Sequence, residues 1–280
     1  MTRIDPVQVS KIIQEVADEH ILPRFRNLGE GDIAFKIGDD PVTIADKEAE
    51  KALSTRLSDL LPGSKVLGEE AFSSDSRILD LLFGESPVWI VDPVDGTRNF
   101  VRGSSEFGVI VSLSQRNQII AGWIYDPTSK EVVTAEKGAG SWYKNQSLKV
   151  KSAAKLPEMH GFLGDRLLEH MNKSSDSIKI KPVLNVMSAG AHEYPRLVVN
   201  GPHFGKDLPQ IHYRASYQYT TPWDDAAGIL IHQEAGGYSA YWNGEAYKPS
   251  EMNRGIALTP DRDSWNEFRA WCQSFCALPV

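Results

Sequence analysis

The feature that most constrains this chain is an apolar run that stops on an acid. Residues 88–91 read Val-Trp-Ile-Val, Asp92 and a proline follow, and Asp95 arrives just before Gly96 and Thr97. A short unbroken apolar stretch closed by turn residues reads as a buried strand, and such a strand has to be covered by other layers of structure. Neighbouring segments fit that role. After Asp5 and Pro6, apolar residues recur at Val9, Ile12, Ile13, Val16, Ile21 and Phe25, a spacing that predicts a helix of several turns. A loop with paired acids, FKIGDDPVT, leads to Asp46, and a second helix is predicted through Ala49, Ala52, Leu53, Leu57 and Leu60.

The pattern then changes to strands. SKVLGEE is a short one ending in Glu69 and Glu70, while FGVIVSL, IIAGWIYDP and EVVTAE read as successive strands separated by polar turns. KGAGSWYKNQSLKV reads as a further hairpin. Around residues 152–182 the chain turns polar, with NKSSDSIKIKP the clearest loop, which suggests a seam between an N-terminal half, 1–150, and a C-terminal half, 151–280. Beyond it come a strand, a helix near 188–200, an irregular stretch to about 220, and a helix opened by TPWDDAAGILIHQEAGG. Interleaved helices and strands predict a layered α/β architecture.

A length of 280 residues allows one large domain or two closely packed halves. The net charge of −7 argues against nucleic acid as the main partner, because phosphate backbones call for Lys/Arg-rich surfaces. No apolar run approaches the ~20 residues of a membrane helix, and no signal peptide is visible at the start. Two cysteines, Cys272 and Cys276, read as packed thiols without enough soft ligands nearby for zinc. So few cysteines suit a reducing, cytoplasmic setting.

Asp46, Glu69, Glu70, Asp92, Asp95 and Asp224 all end strands or begin helices. Each has a bland reading. Asp92-Pro-Val-Asp95-Gly suits a turn, Thr221-x-x-Asp224 fits a capping box, and Glu69 with Glu70 could be solvated surface acids. Converging on one rim, however, the acids could not all stay ionised without cations. An all-oxygen ligand set suits Mg²⁺, or Mn²⁺ in its place, rather than zinc. Backbone amides of Gly96 and Thr97 could then receive an anion.

With GEE at 68–70, WIVDPVDGTRNF at 89–100, PWDDAAGILIHQEAGG at 222–237 and DDPVTIAD at 39–46, the chain resembles the inositol monophosphatase family, in the family's motif order. The resemblance implies alternating α-β-α-β-α layers and a lithium-sensitive, Mg²⁺-dependent phosphomonoesterase, often a homodimer, acting on a small phosphorylated substrate. It implies that Glu69, Asp92 and the carbonyl of Val94 hold a first ion, and that Asp92, Asp95 and Asp224 hold a second. A third, weaker ion would share Glu69 through water. Thr97, hydrogen-bonded to Asp46, would help Glu69 activate the attacking water, with the Gly96 and Thr97 amides on the phosphate.

The substrate side departs from the family pattern. Arg98 stands where a small polar residue is usual, and either pairs with a surface acid or touches substrate. SAGAHEYPRL replaces a small-residue element, leaving Ala191, His192 and Glu193 as candidate substrate contacts, with a structural role the alternative for His192. Tyr217 takes the place where inositol phosphatases carry a glutamate against the sugar hydroxyls. The 203–221 segment is longer than usual and could be a lid or a dimer contact. Inositol 1-phosphate or a related sugar phosphate leads as substrate. The alternatives are a phosphoadenosine phosphate or histidinol phosphate phosphatase and, more remotely, a non-catalytic regulatory protein.

Overall fold

The computed structural model describes residues 4–36, 38–174, 183–186, 189–207 and 209–279. Its first helix, α1 (Pro6–Val16), is capped by Asp5, whose side chain accepts the Val7 amide at 2.9 Å. The predicted regular continuation to Phe25 gives way to a π-helical turn, Ala17–Ile21, and a 3₁₀ turn, Leu22–Arg24. Pro23 cannot donate to a continuing helix, and the wider turn keeps both Ala17 and Ile21 buried.

FKIGDDPVT forms a hairpin rather than a loop: β1 (Ile33–Lys36) pairs antiparallel with β2 (Asp40–Thr43). Gly38 and Asp39, both at positive φ, turn the chain between them. Thr43 then caps α2 (Ile44–Leu60) in a capping box with Asp46.

The larger sheet follows. β3 (Lys65–Gly68) leads through the short helix α3 (Glu69–Ser74) to β4 (Val88–Asp95), which is buried along its whole length. The helical turn α4 (Thr97–Val101) then precedes β5 (Gly108–Gln115), β6 (Gln118–Asp126), β7 (Glu131–Glu136), β8 (Gly140–Tyr143) and β9 (Gln146–Ser147). These strands lie in sequence order, with β3 and β4 parallel and the rest antiparallel.

In the polar 152–182 region the structure shows β10 (His160–Leu163) and α5 (Asp165–Lys173); residues 175–182 of the expected loop lie outside the described residues. β11 (Val183–Val186) and α6 (Gly190–Val198) follow. β12 (Tyr213–Ser216) sits inside the stretch expected to be irregular, where Arg214 breaks the apolar pattern by facing a buried polar network. The chain ends with α7 (Pro222–Glu234), β13 (Tyr238–Tyr241), β14 (Ile256–Thr259) and α8 (Arg262–Gln273). The second sheet has the order β11-β10-β12-β14-β13.

Strand alternation sorts the core into layers. Trp89, Val91, Val109, Val111 and Trp123 pack against Ile13, Ala49 and Leu53 of α1 and α2. On the opposite face, Ile110 and Ile124 meet Tyr194, Leu197 and Ala227 of α6 and α7, which also cover Ile256 and Leu258 of the second sheet. The outer face of that sheet, including Tyr213, Ala215 and Ala257, is sealed by Leu167 and Met171 of α5 and by Trp265 and Phe268 of α8. The resulting order is α-β-α-β-α. Cys272 and Cys276 are free and buried in the outermost layer.

The central helical layer depends on close approach. A Cβ on Gly228 of α7 would stand 2.1 Å from the Tyr194 ring, and that ring is held by the Tyr194 hydroxyl donating to Asp225 at 2.6 Å. Gly228→Ala should therefore destabilise the fold by about 2 kcal/mol through overpacking. A thermal melt should show the midpoint lower by several degrees; an unchanged midpoint would refute this account of the contact.

Candidate active site

Three carboxylates meet where β4 ends and α7 begins. Asp92 and Asp95 close β4 across an irregularity in its pairing with β5, and Asp224 lies in the first turn of α7. Each offers an oxygen within 4.8 Å of those of the other two. Among the described residues no Lys or Arg forms an ion pair with any of them. Burial pushes the acids of Asp92 and Asp224 well above the usual carboxylate range, and mutual repulsion with Glu69 and Asp95 adds to it. Asp95 rises to about 7, again through burial, although the Ala191 amide donates to its Oδ2 at 2.6 Å. A buried all-oxygen donor set lacking a cation partner fits a hard divalent ion.

Local structure explains how these acids are free to converge. Asp92 Oδ1 accepts the Val94 amide at 3.0 Å, which shapes the Pro93 turn. Thr221-x-x-Asp224 does not close as the expected capping box: the Thr221 amide donates to Asp225 at 2.9 Å, so Asp224 can turn toward the cluster. Asp225 also accepts from Arg214 at 3.0 Å, and Arg214 Nε donates to Glu193 at 2.9 Å, which fixes the start of α7 to β12 and α6.

Glu69 lies outside the group of three. Its carboxylate accepts from Lys36 Nζ at 2.9 Å, and Glu70 shares the same ammonium at 2.6 Å. Its charge nevertheless contributes to the raised pKa values of Asp92 and Asp224. Burial lifts Glu70 to about 7.

Asp46 is fully buried and divides its oxygens between two tasks. Oδ2 accepts from the Thr43 amide at 2.9 Å and from the Thr43 hydroxyl. Oδ1 lies 3.1 Å from the Thr97 hydroxyl, which can instead donate to the Val94 carbonyl at 3.0 Å. Desolvation raises Asp46 to about 6 against the lowering effect of Thr43. Gly96 adopts φ 84°, and a Cβ there would meet the Glu106 carbonyl at 2.9 Å. Only glycine allows this turn without strain.

A cleft of about 440 Å³ opens beside Asp95 and Asp224, lined by Asp165, Arg166, Ala189, Glu193, Tyr217 and Tyr219 among others. The substrate-side candidates divide around it. Glu193 and Tyr217 line it, although Glu193 is paired with Arg214 and the Tyr217 hydroxyl donates to the Ala277 carbonyl at 2.9 Å. Ala191 does not line it: its methyl faces Gly108, where an added Cβ would come within 2.6 Å, and its amide serves Asp95. His192 is buried away from the cleft, with Nε2 3.1 Å from the Phe107 carbonyl and the ring against Phe204, and burial lowers its pKa. Arg98 reaches the Asp39 carbonyl at 2.8 Å and the Asp40 carboxylate at 3.5 Å, bracing the β1–β2 hairpin.

Sequence reasoning missed Lys36, Glu50, Asp165, Arg214 and Tyr219. Glu50 carried a signal, since it follows Asp46 by one helical turn on the same face of α2. The others are joined to the site by tertiary structure that no local pattern reports.

Alternating layers around an all-oxygen acid cluster are the arrangement of the metal-dependent phosphatases that the four motifs resemble. Residues 7–276 match the profile described as the inositol monophosphatase family, and the chain belongs to that family. It is thus a phosphoric monoester hydrolase. It is similar to the fructose-1,6-bisphosphatase/inositol-1-monophosphatase of Thermotoga maritima, at 27% identity over 74% of this chain and 73% of the relative. It also resembles the Nus factor SuhB of Vibrio cholerae, at 27% identity over 79% of each chain. The solved structure of the Thermotoga maritima IMPase shares the fold, with a TM-score of 0.76 at 20% sequence identity over 96% of both chains. Among the described residues no helix is long and apolar enough to cross a membrane.

Proposed function

We propose that this chain is a Mg²⁺-dependent phosphatase of small phosphorylated alcohols, with inositol 1-phosphate or a related sugar phosphate as the leading substrate. The observation that carries this reading is the cluster of Asp92, Asp95 and Asp224 opening onto a cleft. In this reading Glu69, Asp92 and the Val94 carbonyl hold one ion and Asp92, Asp95 and Asp224 a second, with a third shared weakly through Glu69; Mn²⁺ could substitute. Bound ions would neutralise phosphate charge and activate water. The chain's own groups do the rest. The Gly96 and Thr97 amides orient the phosphate, and the Thr97 hydroxyl, against Asp46 Oδ1, takes part in moving the water's proton together with Glu69. Lithium inhibition and a homodimeric assembly belong to the same reading.

Two features support a polyol as the leaving group. Tyr217 cannot replace a glutamate's acceptors, but another acid, Asp165, is among the residues that line the cleft. The name of the Thermotoga relative likewise pairs inositol and sugar phosphates. A second reading, a nucleotide 3′-phosphate or histidinol phosphate, is favoured by Tyr219, which lines the cleft while 64% exposed and offers a flat face for an aromatic ring.

Phosphate release with Mg²⁺ should be measured for inositol 1-phosphate, fructose 1,6-bisphosphate, phosphoadenosine phosphate, histidinol phosphate and p-nitrophenyl phosphate. The expected order puts inositol 1-phosphate or the sugar phosphate first. If neither exceeds the aryl phosphate, the polyol reading is lost, and a nucleotide or histidinol phosphate in first place establishes the second reading. A non-catalytic role, raised by the Nus-factor name of the Vibrio relative, predicts no metal-dependent release from any of them.

A further inference from the structure

Beneath the strand end that delivers Glu69 lies a buried acid outside the expected metal set. Glu50 of α2 is 8% exposed. Its Oε2 accepts the Glu70 amide at 2.8 Å and its Oε1 the Ala71 amide at 2.9 Å, so one carboxylate grips two consecutive peptides directly after Glu69. Desolvation opposes the charge and raises the pKa of Glu50, while the two amides favour the ionised form. Lys36 bonds to the Glu69 and Glu70 carboxylates, not to that of Glu50.

Gly68 closes the arrangement from above. A Cβ at that position would stand 2.3 Å from Glu50 Cδ and 2.7 Å from Oε1. The glycine of GEE carries no positive φ, so its need is for space: any side chain would push the Glu50 carboxylate off its two amides. Asp46 lies one turn earlier on the same helix and bonds to Thr97. One face of α2 thus braces the site at two points, through Asp46 to Thr97 at the start of α4 and through Glu50 to Glu70 and Ala71 of α3.

We infer that Glu50 is the positioning residue for Glu69, fixing the peptide from which that carboxylate reaches a divalent ion. This rests on the reading of Glu69 as a metal ligand. Without Glu50 the Glu70 and Ala71 amides lose their shared acceptor, and Glu69 samples orientations that do not suit the ion. Partners of this kind typically change metal affinity by about 10–100-fold when removed.

The test is calorimetric titration of Mn²⁺ into the full chain, with circular dichroism to check folding. Glu50→Ala should weaken binding by about tenfold or more. Glu50→Gln should be intermediate, because its amide oxygen can accept one of the two N–H groups while its NH₂ faces the other. Gly68→Ala should mimic Glu50→Ala, since the flexible carboxylate can yield without unfolding the strand. Glu50→Ala with Gly68→Ala should be no worse than Glu50→Ala alone, because the obstruction is then gone. Glu69→Gln is the reference: if it binds Mn²⁺ like the parent, the ligand reading itself falls. If it weakens binding while Glu50→Ala does not, or if the Glu50 and Gly68 losses add, the positioning role is overturned. Should Glu50→Ala fail to fold, Glu50→Gln and Gly68→Ala decide the matter by the same criteria.

Discussion

Asp95→Asn should lower turnover by on the order of a hundredfold or more, while leaving the metal-free protein more stable at pH 8 than its parent. The two effects share one cause. Asp95 stands in the acid cluster with Asp92 and Asp224, so replacing one of its two carboxylate oxygens by an NH₂ group takes away both a negative charge and one possible oxygen donor to the proposed second ion. The substitution keeps the local geometry, because an asparagine oxygen can still accept the Ala191 amide that Asp95 receives at 2.6 Å. Burial holds the Asp95 acid at about 7, and each unit above the ordinary value represents ~1.4 kcal/mol against the ionised form. At pH 8 the parent carries that unfavourable charge; the asparagine protein does not. Steady-state kinetics with saturating Mg²⁺ and thermal melts after chelation measure both effects. Near-normal turnover would remove Asp95 from the site, and a lower melting point at pH 8 would show that its charge is not opposed by the fold.

This opposition of stability and chemistry explains which parts of the molecule were readable from sequence. The strands of the larger sheet were legible because Trp89, Val91, Val109 and Val111 face one helical layer and Ile90 and Ile110 the other way, so burial on both faces writes itself as apolar runs. The acids were legible because Asp92 interrupts such a run, which no packing argument would place there. β12 was not, since Arg214 in its centre is satisfied by Glu193 and Asp225, residues 21 and 11 positions away. The β1–β2 hairpin was hidden for a related reason: its four-residue strands show no apolar-polar alternation, and its links to the site run through Lys36 and Arg98. The candidate substrate contacts were the least legible. Ala191 and His192 sit beside Glu193 on α6, yet only Glu193 turns toward the cleft, a distinction set by helix rotation against neighbouring layers.

Removing the proposed divalent ions should abolish phosphate release and also leave a protein whose stability falls as pH rises. In the folded, ion-free chain Asp46 titrates at about 6 and Glu70 and Asp95 at about 7, with Asp92 and Asp224 also raised well above their ordinary value, in each case chiefly through burial. Unfolded, these acids titrate near 4. Between those limits the folded state binds more protons than the unfolded state, so the unfolding free energy decreases with pH. The stabilisation is complete below about 4 and is lost as pH climbs through 6 and 7, where Asp46, Glu70 and Asp95 ionise in turn. Mg²⁺, the ion of the proposed function, should act in the opposite direction, because a divalent ion held by ionised carboxylates must displace their protons at low pH. Melting of the chelator-treated protein should therefore give a lower midpoint at pH 8 than at pH 5, and millimolar Mg²⁺ should raise the midpoint more at pH 8. A stripped protein that is most stable at pH 8, or an Mg²⁺ shift equal at the two pH values, would mean that the acids are not the repelling, proton-hungry cluster their burial makes them.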